Sequence, residues 1–201
     1  MANIETLRKN LEAHGFETRY FATKQEAADY LCASLSGTTI GIGGSKTVEA
    51  LDVYDRLSEN NTVYWHWKQA PADEVRVMAV GSDVYISGIN GLSETGELVN
   101  IDGGGNRLAG TVFNKKRVIF VTGTNKIEPT MEDAIRRARN VASPLNLRRF
   151  NANTPCVKSD ELKCYDCSVA QRGCNVMQIH MRKPTLVDVC EILLIDEELG
   201  F

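Results

Sequence analysis

The sequence predicts an α/β fold: a mixed, mainly parallel sheet with flanking helices, followed by a C-terminal cysteine-rich segment. Three observations predict it. Strand-like apolar runs alternate with helical patterns early in the chain, as at 38–42 and 48–57. Two short strand-like runs, 84–87 and 98–101, flank a reversal at Thr95-Gly96 in the middle. Arg117 to Gly123, RVIFVTG, is almost continuously apolar, which suits a strand covered on both faces.

The 201 residues fit a single domain, 1–201, with its cysteine-rich segment at 154–175. Hydrophobic content of 43% and charged content of 24% are those of a soluble globular protein. A net charge of -3 gives no global drive toward nucleic acid or an anionic membrane. The opening MANIETLRKNLEAHG is charged throughout, unlike a signal peptide, and no apolar run reaches the roughly 20 residues of a membrane span. A cytoplasmic protein is expected.

Ile4, Leu7 and Leu11 recur at helical spacing, so 4–14 is an amphipathic helix closed by Gly15. Phe16 to Phe21 alternates as a strand. Thr23 and Glu26 form a capping box for a helix reaching Leu35. The strand at 38–42 leads into Gly43-Gly44-Ser45-Lys46-Thr47 and a helix from Val48 to Leu57. A strand, a glycine turn and hydroxyl residues at a helix start present backbone N–H groups and the positive dipole end to an anion. The stretch is neither a Walker A loop nor a dinucleotide fingerprint, and such turns also serve chain reversal alone.

Thr62 to Trp67 is a strand candidate, in which His66 reads equally as a half-buried strand residue or a base. Pro71-Ala72-Asp73-Glu74 offers a short helix start. Val84 to Arg107 then places Asp102, three glycines, Asn106 and Arg107 directly after a strand. Glycines here permit positive φ and bring backbone N–H groups to a ligand; the alternative is a hairpin with a surface loop. Arg107 to Asn114 is a short helix candidate. Thr124-Asn125-Lys126 follows the 117–123 strand, where open α/β sheets place ligands. Thr130 starts a helix whose Arg136, Arg137 and Arg139 are, for at least two of them, a solvated face, and Ser143-Pro144 breaks it. Val176 to Met181 and Val189 to Ile195 are the last strands.

Of six cysteines, Cys32 and Cys190 stand alone in apolar segments as small hydrophobes. Cys156, Cys164, Cys167 and Cys174 form a TPC-x7-CYDC-x6-C pattern. Such a set suits zinc or an iron–sulfur cluster, two disulfides, packing within a hairpin, or a single activated thiol.

GIGGSKTVEAL at 41–51, DVYISGINGLSETGELVNIDGGGNRLAG at 83–110, VIFVTGTNKIEPTMEDAIRRARNVASPLN at 118–146 and the cysteine pattern resemble the LUD domain family of LutC-like lactate-utilisation proteins. The resemblance spans nearly the whole chain. It implies the fold shared by ribose-5-phosphate isomerase, glucosamine-6-phosphate deaminase and the coenzyme A transferases. Ile40 to Thr47 looks like the isomerase's phosphate turn. Where the isomerase carries two aspartates and a lysine, this chain has Asn90, Ser93 and Asn100, so that acid/base set is absent. Ser93-Glu94-Thr95-Gly96 is similar to the segment holding the transferase's nucleophilic glutamate, although the turn makes Glu94 a solvated hairpin residue in a simpler reading.

The reading that follows is an anionic, phosphorylated or carboxylated metabolite bound by Gly43, Gly44, Ser45, Lys46 and Thr47, with Asn90, Gly103, Gly104, Gly105, Asn106, Arg107, Asn125 and Lys126 completing the pocket. Glu94 and Asp102 are the candidate acid/base or nucleophilic carboxylates. The alternatives are a non-enzymatic accessory subunit of an oxidoreductase, its cysteines holding a structural metal or meeting a redox partner, and an isomerase-like or acyl-CoA-transferase-like enzyme. A homo-oligomer is compatible with all of these.

Overall fold

The computed structural model describes residues 3–201; Met1 and Ala2, part of the charged opening stretch, lie outside it. Strands β1 (Glu17–Phe21), β2 (Thr39–Ile42), β3 (Thr62–Tyr64), β4 (Val84–Gly88), β5 (Gly91–Ser93), β6 (Leu98–Asp102), β7 (Lys115–Gly123), β8 (Ile127–Glu128), β9 (Val176–His180) and β10 (Val187–Ile195) form two sheets. The larger has the order β1-β10-β7-β4-β2-β3, and its pairings are all parallel. The smaller, β8-β5-β6-β9, is mixed, with antiparallel β5–β6 and β6–β9 pairs beside a parallel β5–β8 pair.

The helices are α1 (Ile4–Ala13), α2 (Lys24–Ser34), α3 (Lys46–Glu49), α4 (Tyr54–Ser58), α5 (Ala72–Gly81), α6 (Asn106–Ala109), α7 (Met131–Arg137), α8 (Ser143–Arg149) and α9 (Pro155–Lys158). The two-residue period of the central strands sorts them onto the two faces of the large sheet. Ile119, Val121, Leu193 and Ile195 pack with Ala27 and Leu31 of α2 and Leu57 of α4. Their neighbours Val118, Phe120, Ile192 and Leu194 pack with Leu7 and Leu11 of α1 and Leu92 and Leu98 of the small sheet. Val99 and Ile101, on the other face of β6, meet Ala134 and Ala138. The result is a stack of helices, large sheet, small sheet and helix.

Several local expectations change. The 48–57 helix is two short helices, because Asp52 takes a left-handed φ of 50° after α3 and Asp tolerates that region better than most residues. The 62–67 strand stops at Tyr64, since the Trp65 N–H turns to Gln69 Oε1 at 2.8 Å and Lys68 N donates to Trp65 O at 2.8 Å. The 107–114 helix shrinks to α6, closed by Thr111 Oγ1 on Leu108 O at 2.8 Å. Conversely, 72–81 is a full helix. Its C-terminal carbonyls Val80 O and Ser82 O accept from Lys115 Nζ, the second at 2.7 Å.

Pro144 does not end its helix. The path runs from α7 through a π-helical segment, Ala138–Ala142, into α8. The wider turn relieves the clash a proline ring makes with the preceding turn of an α-helix, and Ser143 Oγ donates to Ala138 O at 2.9 Å.

Candidate functional site

The parallel strands end on one edge of the large sheet, and a cavity of about 520 Å³ opens there. Segments following β2, β3, β4, β6 and β7 line it, together with the start of α5, the π–α8 segment and Phe201. An open parallel sheet places its ligand crevice at this edge, because loops from several strands converge there.

Of the residues singled out above, Gly44, Ser45, Lys46, Thr47, Asn90, Asp102, Gly103, Gly104, Asn106, Arg107 and Lys126 line the cavity. Gly43, Gly105 and Asn125 are not among its lining residues. Gly43 N donates to Ile86 O at 2.9 Å, Gly105 precedes α6, and Asn125 Oδ1 accepts from Leu199 N at 3.2 Å. Only Gly105 of the three consecutive glycines has the positive φ expected of the run, at 82°.

Asp102, Asn90, Asn100 and Arg107 form one knot. Asp102 accepts from Gly103 N at 2.7 Å and from Arg107 N at 3.1 Å. Arg107 donates to Asn100 Oδ1 at 2.7 Å, to Asn90 Oδ1 at 3.1 Å and to Ile101 O. Asn90 Oδ1 also accepts from Ile101 N at 2.8 Å. Asn90 and Asn100 thus tie the β4–β5 connection to β6, and Asp102 caps a turn. Burial lowers the Arg107 pKa from its ordinary value, against the pull of Asp102.

Lys126 is the most buried cation among the described residues. It is 2% exposed, and Nζ donates to Thr47 Oγ1 at 2.6 Å and Ile89 O at 3.1 Å. Burial, reinforced by the positive charges of Arg137 and Arg107, lowers its pKa to about 7. Arg137 is itself buried, donating to Asn90 O at 2.6 Å and Asn125 O at 3.2 Å, while Arg136 is exposed and Arg139 half-exposed. The solvated-face reading therefore fits Arg136 and in part Arg139, but not Arg137.

The cavity also takes residues that the sequence did not single out as ligands. Arg149 at the end of α8 lies 4.7 Å from the Trp67 ring centroid and 4.0 Å from that of Phe150. Asp73 and Arg76 of α5 pair with each other on its rim. His66 lines it too; its Nδ1 is buried without a hydrogen-bond partner among the described residues, and burial, then Arg76, lowers its pKa. Ending the β3 strand at Tyr64 would have placed His66 and Trp67 beside the other strand-end residues.

Glu94 is outside the cavity. It sits in the β5–β6 hairpin, where its carboxylate accepts from Asn3 N at 3.2 Å and its carbonyl from Asn10 Nδ2 at 2.7 Å. The cysteines are all free thiols. Burial raises the Cys174 pKa; Arg172 pulls against this, and negative charge on nearby Cys164 or Cys167 adds to the rise. Cys156 is buried against Thr154 Oγ1 at 3.3 Å. Among the described residues no three His, Cys, Asp or Glu side chains converge as a metal site. The four thiols named as candidate ligands lie in the segment from Cys156 to Cys174. Arg139, Asp166 and Arg172 interleave them, with Asp166 paired to both arginines at 3.3 and 3.2 Å. No described helix is long and apolar enough to cross a membrane.

The family model described as the LUD domain matches residues 4–194. A solved structure of a DUF162 family protein from Deinococcus radiodurans is similar at a TM-score of 0.55 and 9% identity, covering 96% of this chain and 95% of that one. At that identity the likeness is one of fold. No curated protein matches.

Proposed function

Because the chain belongs to the LUD domain family, and that family is associated with lactate utilisation, we propose that it binds a small carboxylated or phosphorylated metabolite at the strand-end cavity. The observation that carries this reading is the charge of the wall. Lys46, Arg76, Arg107 and Arg149 bring positive charge to a wall whose carboxylates are Asp73 and Asp102; Arg76 and Arg107 engage those two carboxylates, and Lys46 pairs with Glu49. Lys126 and Arg149 have no carboxylate partner among the described salt bridges. An anion placed beside Arg149 would offset its positive charge and gain charge-assisted hydrogen bonds. Ser45 Oγ accepts from Val48 N at 3.3 Å and fixes the start of α3, so Lys46 and Thr47 are held at the cavity wall. Trp67 and Phe150 supply an apolar side for the uncharged part of the ligand.

Thermal-shift and calorimetric titration with hydroxy acids, oxo acids, sugar phosphates and coenzyme A esters tests the proposal. Binding of at least one anion class is expected. Arg149→Ala, and Ser45→Ala combined with Lys46→Ala, should each weaken binding roughly tenfold or more while the far-UV spectrum stays unchanged. Silence across the anion panel, or unaltered affinity in both variants, would overturn it.

A further inference from the structure

Resting on the anion pocket just proposed, we infer that the Lys126 amine captures the carbonyl of an anionic aldehyde or ketone as an imine. The geometry that points there is the set of partners around Nζ. Two N–H bonds are used, on Thr47 Oγ1 at 2.6 Å and Ile89 O at 3.1 Å. The direction at Thr47 is fixed because its own hydroxyl donates to Leu199 O at 3.2 Å, leaving Oγ1 to accept. The third tetrahedral position on nitrogen remains for a proton or a lone pair. No carboxylate pairs with Lys126 among the described residues, and its charged neighbours, Arg137 from α7 and Arg107 from α6, are both cationic. This environment favours the neutral, nucleophilic amine.

Space beside the amine is kept by Gly200. A Cβ there would lie 3.3 Å from Nζ and 2.5 Å from Thr47 Oγ1. Lys115 provides the contrast. It is also buried and donates to two carbonyls, but it has Asp83 as a stabilising charge, lies away from this cavity and closes the end of α5. Lys115 is a structural lysine, whereas Lys126 faces a cavity whose remaining cations suit the ligand's carboxylate or phosphate.

In the step itself the nitrogen lone pair adds to the carbonyl carbon, and the amine's proton passes to the oxygen. The resulting carbinolamine loses water. One C=N bond replaces one C=O bond, with no oxidant or reductant required. Arg107 and Arg149 would hold the anionic end of the captured molecule.

Cyanoborohydride reduction in the presence of glyoxylate, glycolaldehyde phosphate or neutral glycolaldehyde, followed by peptide mass mapping, tests the inference. A reduced adduct confined to Lys126 with one or both anionic carbonyls, weak with glycolaldehyde, and absent in Lys126→Arg and Lys126→Met is expected. The two anionic probes distinguish a carboxylate from a phosphate ligand. Labelling spread over surface lysines, equal labelling by the neutral aldehyde, or no adduct at all would overturn it. The anion titrations separate the two failures: if they still show binding with no adduct, the pocket stands and only the imine falls.

Discussion

Lys126 shows what a single side chain costs and supplies. Its folded pKa of about 7 lies below the ordinary lysine value. Between those two values the unfolded chain holds a proton that the folded chain has released, so this residue makes stability rise with pH through that window. Below pH 7 the cost of burying the charge is fully present. The slope is at most about 1.4 kcal/mol per pH unit. Lys126→Met should remove it, so the variant gains stability relative to the parent at pH 6 and loses that advantage toward pH 10, as read by urea melts. An equal difference at both ends would show that Lys126 is charged when folded. Sequence placed Lys126 at a strand end, but its low pKa comes from burial in the assembled fold, reinforced by Arg137 and Arg107 from other segments. The same limit applied to Asp102. Its position was legible, yet only the fold shows its oxygens committed to Gly103 N and Arg107 N.

At the scale of elements, period and turn chemistry made the strands and most helices legible. Continuous apolar runs such as 117–123 had no competing solution, because a strand buried on both faces tolerates little else. The misreadings fall where one local interaction overrides a pattern: the left-handed Asp52, the Gln69 side chain that ends β3, and the π segment before Pro144. Close approach between elements was equally invisible. Gly91 of β5 lies so near α7 that a Cβ would sit 2.4 Å from Ala134 O, a backbone atom that cannot rotate away. Gly91→Ala should therefore destabilise the protein by about 1–3 kcal/mol, read as a lower urea midpoint. Gly104→Ala, whose Cβ would meet only Asn106 Oδ1 at 3.4 Å, serves as the matched control with little change expected. Comparable midpoints for the two variants would mean that α7 is free to move off the small sheet.

Across the whole molecule, two apolar clusters on opposite faces of the large sheet and a third against α7 hold most of the buried side chains. The segment from Ser159 to Asn175 has no helix or strand and contributes only Cys174 to the edge of the third cluster. Its stability is therefore local, whereas that of the strands is tied to global unfolding. The cysteines report this difference directly. Cys190 is 0% exposed in the central sheet, and burial pushes its thiol up to about 12. Cys156 is buried under Thr154, while Cys164 and Cys167 are half-exposed. Maleimide should therefore label Cys164 and Cys167 in the folded protein, with Cys156 and Cys190 reacting only as the chain unfolds in urea. If Cys164 and Cys167 are instead as protected as Cys190 until global unfolding, and a chelator exposes them, the thiols hold a metal. That result would join the segment to the fold's main cooperative unit, because removing a shared ligand set then loosens all of its members together.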